Sequence, residues 1–190
     1  MTTPISITAL LLVGGESRRM GTDKAMLMIE GGPLWARQWR ILRELGVGAM
    51  AVSARARPAW CAPEMEVILD GEPSRGPLSG VAAALVHMRT SHLLVLAVDL
   101  PRMTAQQLRM ISGLAQPGCG VVPVRQERFE PLCAVYPQEA AALAAAAVKG
   151  NDVSLQSFVR RLQDEGMMQT IAVSPEDEEL YRNVNRPEDL

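Results

Sequence analysis

Leu10-Leu11-Leu12-Val13-Gly14-Gly15-Glu16-Ser17-Arg18-Arg19-Met20-Gly21-Thr22-Asp23-Lys24 is the stretch on which the reading of this chain turns. An apolar run from Ile5 to Val13 has the composition of a strand buried on both faces, and it stops at paired glycines followed by a basic loop. Gly14 and Gly15 permit positive φ and let the backbone approach a phosphate more closely than a side chain would allow. Arg18, Arg19 and Lys24 add positive charge, so the turn reads as a nucleotide site. Two familiar phosphate loops are excluded by spacing. A P-loop needs Gly-Lys-Ser/Thr, whereas Gly21 is followed by Thr22 and the lysine arrives at position 24. The dinucleotide fingerprint fails because its glycines are not adjacent, and Glu16 stands where its second glycine belongs.

Beyond this loop, apolar runs alternate with helical patterns. Pro33 to Leu45 reads as a helix stopped by Gly46 and Gly48, and Ala49 to Ser53 and Glu66 to Leu69 read as strands. Pro77 opens a helix reaching about Met88, since its missing amide would be unpaired in a first turn. His92 to Val98 is a continuous apolar strand, Thr104 to Leu114 a helix, and Gly120 to Val124 and Leu132 to Tyr136 are strands. Two further helices are expected near Glu139 to Lys149 and Ser154 to Glu165. Repeated βα units predict an α/β fold: one doubly wound, mostly parallel, Rossmann-like sheet flanked by helices, with residues 1–190 forming a single domain. Ligands in such sheets collect beyond the carboxyl ends of the strands, which singles out the loops after Val13, Val52, Leu69 and Val98.

Composition narrows the function classes. The chain has 190 residues, of which 48% are hydrophobic, enough to bury a substantial core. A net charge of −2 argues against binding nucleic acid or a membrane surface, although a local basic site still recruits phosphates. Cys61, Cys119 and Cys133 are an odd number without Cys-x-x-Cys spacing, as expected of free, packed thiols in a reducing cytoplasm. No basic region precedes the first apolar run, which is too short to span a membrane and so reads as a strand rather than a signal peptide. His87 and His92 lack partners at metal-ligand spacing, and the methionines read as core filling.

The Leu-x-Gly-Gly-x-x-x-Arg-Met-Gly-x-Asp-Lys pattern, carried here from Leu12 to Lys24, resembles the signature of the molybdenum cofactor guanylyltransferases, within the larger class of nucleotidyltransferases. Asn183-Val184-Asn185-Arg186-Pro187-Glu188 resembles the same family's terminal Asn-x-Asn-x-Pro-Glu motif, so the likeness spans nearly the whole chain. The resemblance implies transfer of GMP from GTP to the phosphate of molybdopterin, with release of pyrophosphate and dependence on Mg2+. It implies a nucleotide-binding set of Leu12, Val13, Gly14, Gly15, Lys24, Ser53, Asp70 and Asp99. Lys24, Arg19 and Asp99 would be catalytic, Asp99 would hold the metal, and Asn183 and Asn185 would face molybdopterin. Transient contact with cofactor-insertion and molybdoenzyme partners follows from the same likeness.

Several of these positions have plain alternatives. Relatives commonly carry asparagine where Ser53 stands, and a serine there is either a ligand contact or a strand-end turn residue. Asp70 either accepts hydrogen bonds from a base or sugar or is a turn aspartate ahead of Gly76-Pro77-Leu78-Ser79-Gly80. Asn185 either contacts substrate or precedes a turn. Asp99 is not needed as a helix cap, because Thr104 with Gln107 forms a capping box, and its carboxylate suits magnesium. In the turn Arg125 to Leu132, Glu130 stands where relatives often have histidine; an acid near a phosphorylated pterin is unfavourable unless Arg125 or Arg128 compensates it. The rival readings are a cytidylyltransferase for the same cofactor, whose members have Ala-Gly in place of Gly14-Gly15, and a binding module that forms no pyrophosphate.

Overall fold

The computed structural model describes residues 4–13, 24–71 and 73–184. Strand β1 (Ile7–Leu12) lies at the middle of the main sheet because every residue from Thr8 to Leu12 is buried. It pairs in parallel with β4 (Ala49–Ala54) and β6 (His92–Ala97), which places Leu12 level with Ser53 on one side and Ala97 on the other. Strand β5 (Glu66–Leu69) extends the sheet beyond β4, again in parallel. On the far side β9 (Cys133–Pro137) runs antiparallel to both β6 and β7 (Gly120–Arg125), and β10 (Met168–Ala172) is parallel to β7. The order is therefore β5-β4-β1-β6-β9-β7-β10, with a short β8 (Arg128–Phe129) folded back on β7.

Two apolar layers follow from the strand period of two. Leu10 and Leu12 face α2 (Pro77–His87), α4 (Ala141–Lys149) and α5 (Leu155–Asp164), whereas Ala9 and Leu11 face α1 (Leu34–Arg43) and α3 (Ala105–Gly113). The chain steps from β1 through β4 to β5 and then returns to β6 on the other side of β1. That reversal is the switch point at which an open α/β sheet parts its loops and leaves a crevice.

The elements depart from expectation mainly at their edges. The first strand begins at Ile7, since Ile5 is exposed, and the fourth helix is preceded by a 3₁₀ turn, Gln138–Ala140. Strand β10, strand β8 and the small hairpin β2 (Met28–Ile29) and β3 (Gly32–Pro33) were not anticipated. All are short or at a sheet edge, where Gln169 and Thr170 break any apolar run. Among the described residues no helix is long and apolar enough to cross a membrane.

Candidate functional site

Asp99 follows the wholly buried β6, and its loop is held from three directions. The Val98 amide donates to the Leu12 carbonyl at 3.0 Å, carrying the β1–β6 pairing one residue past the strand. The Asp99 carbonyl accepts from the Val184 amide at 2.9 Å, and the Leu100 carbonyl accepts from the Met103 amide at 3.1 Å and from the Gln38 side-chain Nε2. Arg37 Nε donates to the Pro101 carbonyl at 2.6 Å. Thr104 caps α3 by accepting from the Gln107 amide at 3.2 Å, but the Gln107 side chain donates to the Tyr181 hydroxyl instead of returning to Thr104. Only one arm of the expected capping box is made, because the buried phenol of Tyr181 takes the other.

The backbone is thus fixed while the carboxylate is not satisfied. Asp99 Oδ2 lies 3.6 Å from Lys24 Nζ, and Oδ1 is buried with no hydrogen-bond partner among the described residues. Burial pushes the Asp99 carboxyl above the usual carboxylate range, against the opposing pull of the Lys24 ammonium. Lys24 is aimed there by the 3₁₀ turn Lys24–Met26, which the fully buried Ala25 anchors. An orphaned, desolvated carboxylate oxygen is a fitting ligand for a hard cation. Among the described residues no cluster of three His, Cys, Asp or Glu could enclose one, and magnesium accepts phosphate and water oxygens beside a single carboxylate.

Asp70, at the end of β5, is a contrasting carboxylate. Ser53 Oγ donates to its Oδ1 at 2.7 Å and Ser74 Oγ to its Oδ2 at 3.3 Å. Ser53 is 0% exposed, and its hydroxyl is engaged by Asp70. Gly80 makes the arrangement possible: a Cβ there would collide with Ser53 Oγ and lie 3.0 Å from Asp70 Oδ1. Gly76 enters α2 with φ +90°, and Arg75 ties this turn to the carboxyl end of α4 by donating to the Val148 and Gly150 carbonyls at 2.8 and 2.5 Å.

A cavity of about 540 Å³ adjoins the Asp99 loop, lined in part by Pro77, Leu100 and Asn183 and by Arg125, Arg128 and Glu130. Arg125 Nε donates to Glu130 Oε1 at 2.9 Å, the compensation that the sequence required of this turn. Asn183 reaches the cavity because the next residue, Val184, is bonded to Asp99. A larger groove of about 850 Å³ lies between β5, α2 and α4; neither space is lined by Asp99 or Lys24, and the smaller one meets the Asp99 loop through Leu100.

The structure brings Lys24 to Asp99 and Ser53 to Asp70, and puts Asn183 beside the first pair. Leu12 is packed into the core, leaving only its backbone for a ligand, while Val13 is half-buried and donates to the Ser53 carbonyl at 3.1 Å. Gly14, Gly15, Arg19 and Asn185 lie outside the described residues. Arg37, Gln38 and Val184 were missed. Gln38 had a readable signal: it is a polar residue at a core position of α1, buried in series with Leu34, Ile41 and Leu42. The remaining candidates are structural. His92 is buried between Ser91 Oγ and the Gln116 carbonyl, His87 pairs at the surface with Glu66, and burial pushes all three cysteine thiols up, away from nucleophilic thiolates. Cys61 and Cys133 are buried and Cys119 is partly buried.

A doubly wound sheet that sets an acid and a lysine against each other at its switch point suits nucleotidyl transfer, and comparison with known proteins puts the chain in the nucleotidyltransferase class. Residues 9–167 match the family model described as MobA-like NTP transferase domain. A protein of Opitutus terrae named "Probable molybdenum cofactor guanylyltransferase" is 36% identical over 187 residues, covering 97% of this chain and 93% of its own. The molybdenum cofactor guanylyltransferase of Pseudomonas putida is 31% identical over 188 residues, covering 97% and 95%. In fold, the chain is similar to the molybdopterin-guanine dinucleotide biosynthesis protein A of Archaeoglobus fulgidus, with TM-score 0.72, 22% identity and coverage of 96% and 94%. The chain belongs to the MobA-like NTP transferase family, and within it to the molybdenum cofactor guanylyltransferases.

Proposed function

We infer that this protein transfers GMP from GTP to the phosphate of molybdopterin, as one catalytic unit acting in the reducing cytoplasm. A phosphate oxygen of molybdopterin attacks the α-phosphorus of GTP, the α–β bridging P–O bond breaks, and pyrophosphate leaves. No protein nucleophile is required. The observation that carries the reading is the Lys24–Asp99 pair at the switch point, with a cavity for a second substrate beside it.

Each residue then has a task set by its surroundings. Backbone amides of the turn after Val13, including Gly14 and Gly15, with Arg19, hold the triphosphate. Lys24 neutralises charge growing on the α-phosphate. Asp99, with one unsatisfied oxygen and a fixed backbone, holds Mg2+. When bound, the ion supplies further charge neutralisation at the phosphate oxygens. Asp70, held by Ser53, accepts hydrogen bonds from the nucleotide, while Asn183 and Asn185 face molybdopterin. Catalysis is positioning and electrostatics throughout.

The direct test is pyrophosphate release with molybdopterin and magnesium in the presence of GTP, CTP or ATP, with chromatography of the product. Release with GTP alone is expected. Release with CTP alone would move the chain to the cytidylyl reading, and GTP binding without release would make it a binding module. Lys24→Ala is expected to lower turnover about a hundredfold or more, measured in the same assay.

A further inference from the structure

The cavity beside Asp99 contains an acid that phosphoryl chemistry does not use. Glu130 is 19% exposed in its side chain, lines the cavity, and accepts from Arg125 through Oε1 alone; among the described residues nothing bonds to Oε2. Were this wall a phosphate site, a carboxylate would oppose binding, and one arginine is already partly spent on it. A pterin ring presents something else. Its pyrimidinone edge carries a ring N–H and an exocyclic amine side by side, next to a carbonyl. A carboxylate accepts both donors in parallel, and a guanidinium beside it donates to the carbonyl.

We propose that Glu130, oriented by Arg125, is the specificity-determining residue for the acceptor, reading the amino-oxo edge of its pterin while the phosphate end lies toward Asp99. This rests on molybdopterin being the acceptor. The pair is held in advance of binding: the Glu130 amide donates to the Pro123 carbonyl at 2.8 Å and its carbonyl accepts from Cys133 at 3.0 Å. Gln156 clamps the adjoining strand by bonding both the amide and the carbonyl of Phe129, at 3.2 and 2.8 Å. Gln126 and Glu127 carry φ of +48° and +63°, a two-residue turn that pairs Arg125 with Arg128 across the hairpin, and Glu130, two residues further on, lies on the same face within reach of Arg125. The cavity volume is that of a small-molecule site.

The test uses two fluorescent probes, pterin and lumazine, the latter with oxygen in place of the 2-amino group. The protein is expected to bind pterin about tenfold more tightly than lumazine, the size of one charge-assisted hydrogen bond. Glu130→Gln is expected to shrink that ratio to about threefold or less and to raise the KM for molybdopterin, with the KM for GTP and the Tm unchanged. Equal binding of the two probes by the unaltered protein overturns the proposal without recourse to any variant, as does a Glu130→Gln protein that keeps the full ratio. Absence of pyrophosphate from GTP and molybdopterin overturns the acceptor reading instead, so the two failures are distinct.

Discussion

Asp70 and Asp99 each follow a strand of the same sheet, close behind an apolar run, yet their surroundings are opposite. Asp70 has both oxygens hydrogen-bonded by serines, and the missing side chain of Gly80 leaves room for that pairing. Asp99 has one oxygen facing a lysine at 3.6 Å and the other with no hydrogen-bond partner among the described residues. The difference separates two uses of a carboxylate. A satisfied acid is a fixed acceptor whose geometry matters, whereas an unsatisfied, desolvated acid costs stability until a cation arrives.

The largest effect should therefore come from Asp99→Asn. Turnover is expected to fall about a hundredfold or more, while the ligand-free protein becomes more stable near pH 8. The sign follows from the raised pKa. Asp99 contributes stability below the ordinary carboxylate range, and that contribution is lost as pH rises through its elevated folded value. Asparagine removes this loss, so the gain in Tm should appear at neutral and higher pH and vanish in acid. A variant that melts lower at pH 8 would break the contrast, since Asp99 would then be satisfied.

Gly80→Ala should come next, costing about 1–3 kcal/mol in denaturant unfolding because the added Cβ meets Ser53 and Asp70. Ser53→Ala in the same chain is expected to recover part of the loss, as coupling between residues in contact requires. Strict additivity would show that the strain lies elsewhere. Smallest is Ser53→Ala alone, at about 1 kcal/mol, with a several-fold higher KM for GTP and kcat retained. If kcat fell and KM did not move, Ser53 would have to act on the reaction rather than through Asp70.

Much of this contrast is legible in the amino-acid sequence. Both aspartates stand out by their place after apolar runs, and Lys24 by its spacing to the paired glycines. Which oxygen is satisfied by what is not legible there. By sequence Ser53 is as much a ligand contact as a turn residue, and only its burial beneath Gly80 assigns its hydroxyl to Asp70. Gln38 and Arg37 reach the Asp99 loop from 62 and 64 residues away in sequence, and Val184 from further still, beyond any local pattern.

Sequence by itself determined the α/β class and the unbroken apolar run that buries β1 on both faces, because hydrophobic periodicity acts over a few residues. The tertiary structure alone decided the antiparallel insertion of β9, the pairing of Arg125 with Glu130 in a cavity beside Asp99, and the split between a satisfied and an unsatisfied aspartate. Hydrogen-bond satisfaction and desolvation depend on which distant segments pack together, and that is a property of the folded chain.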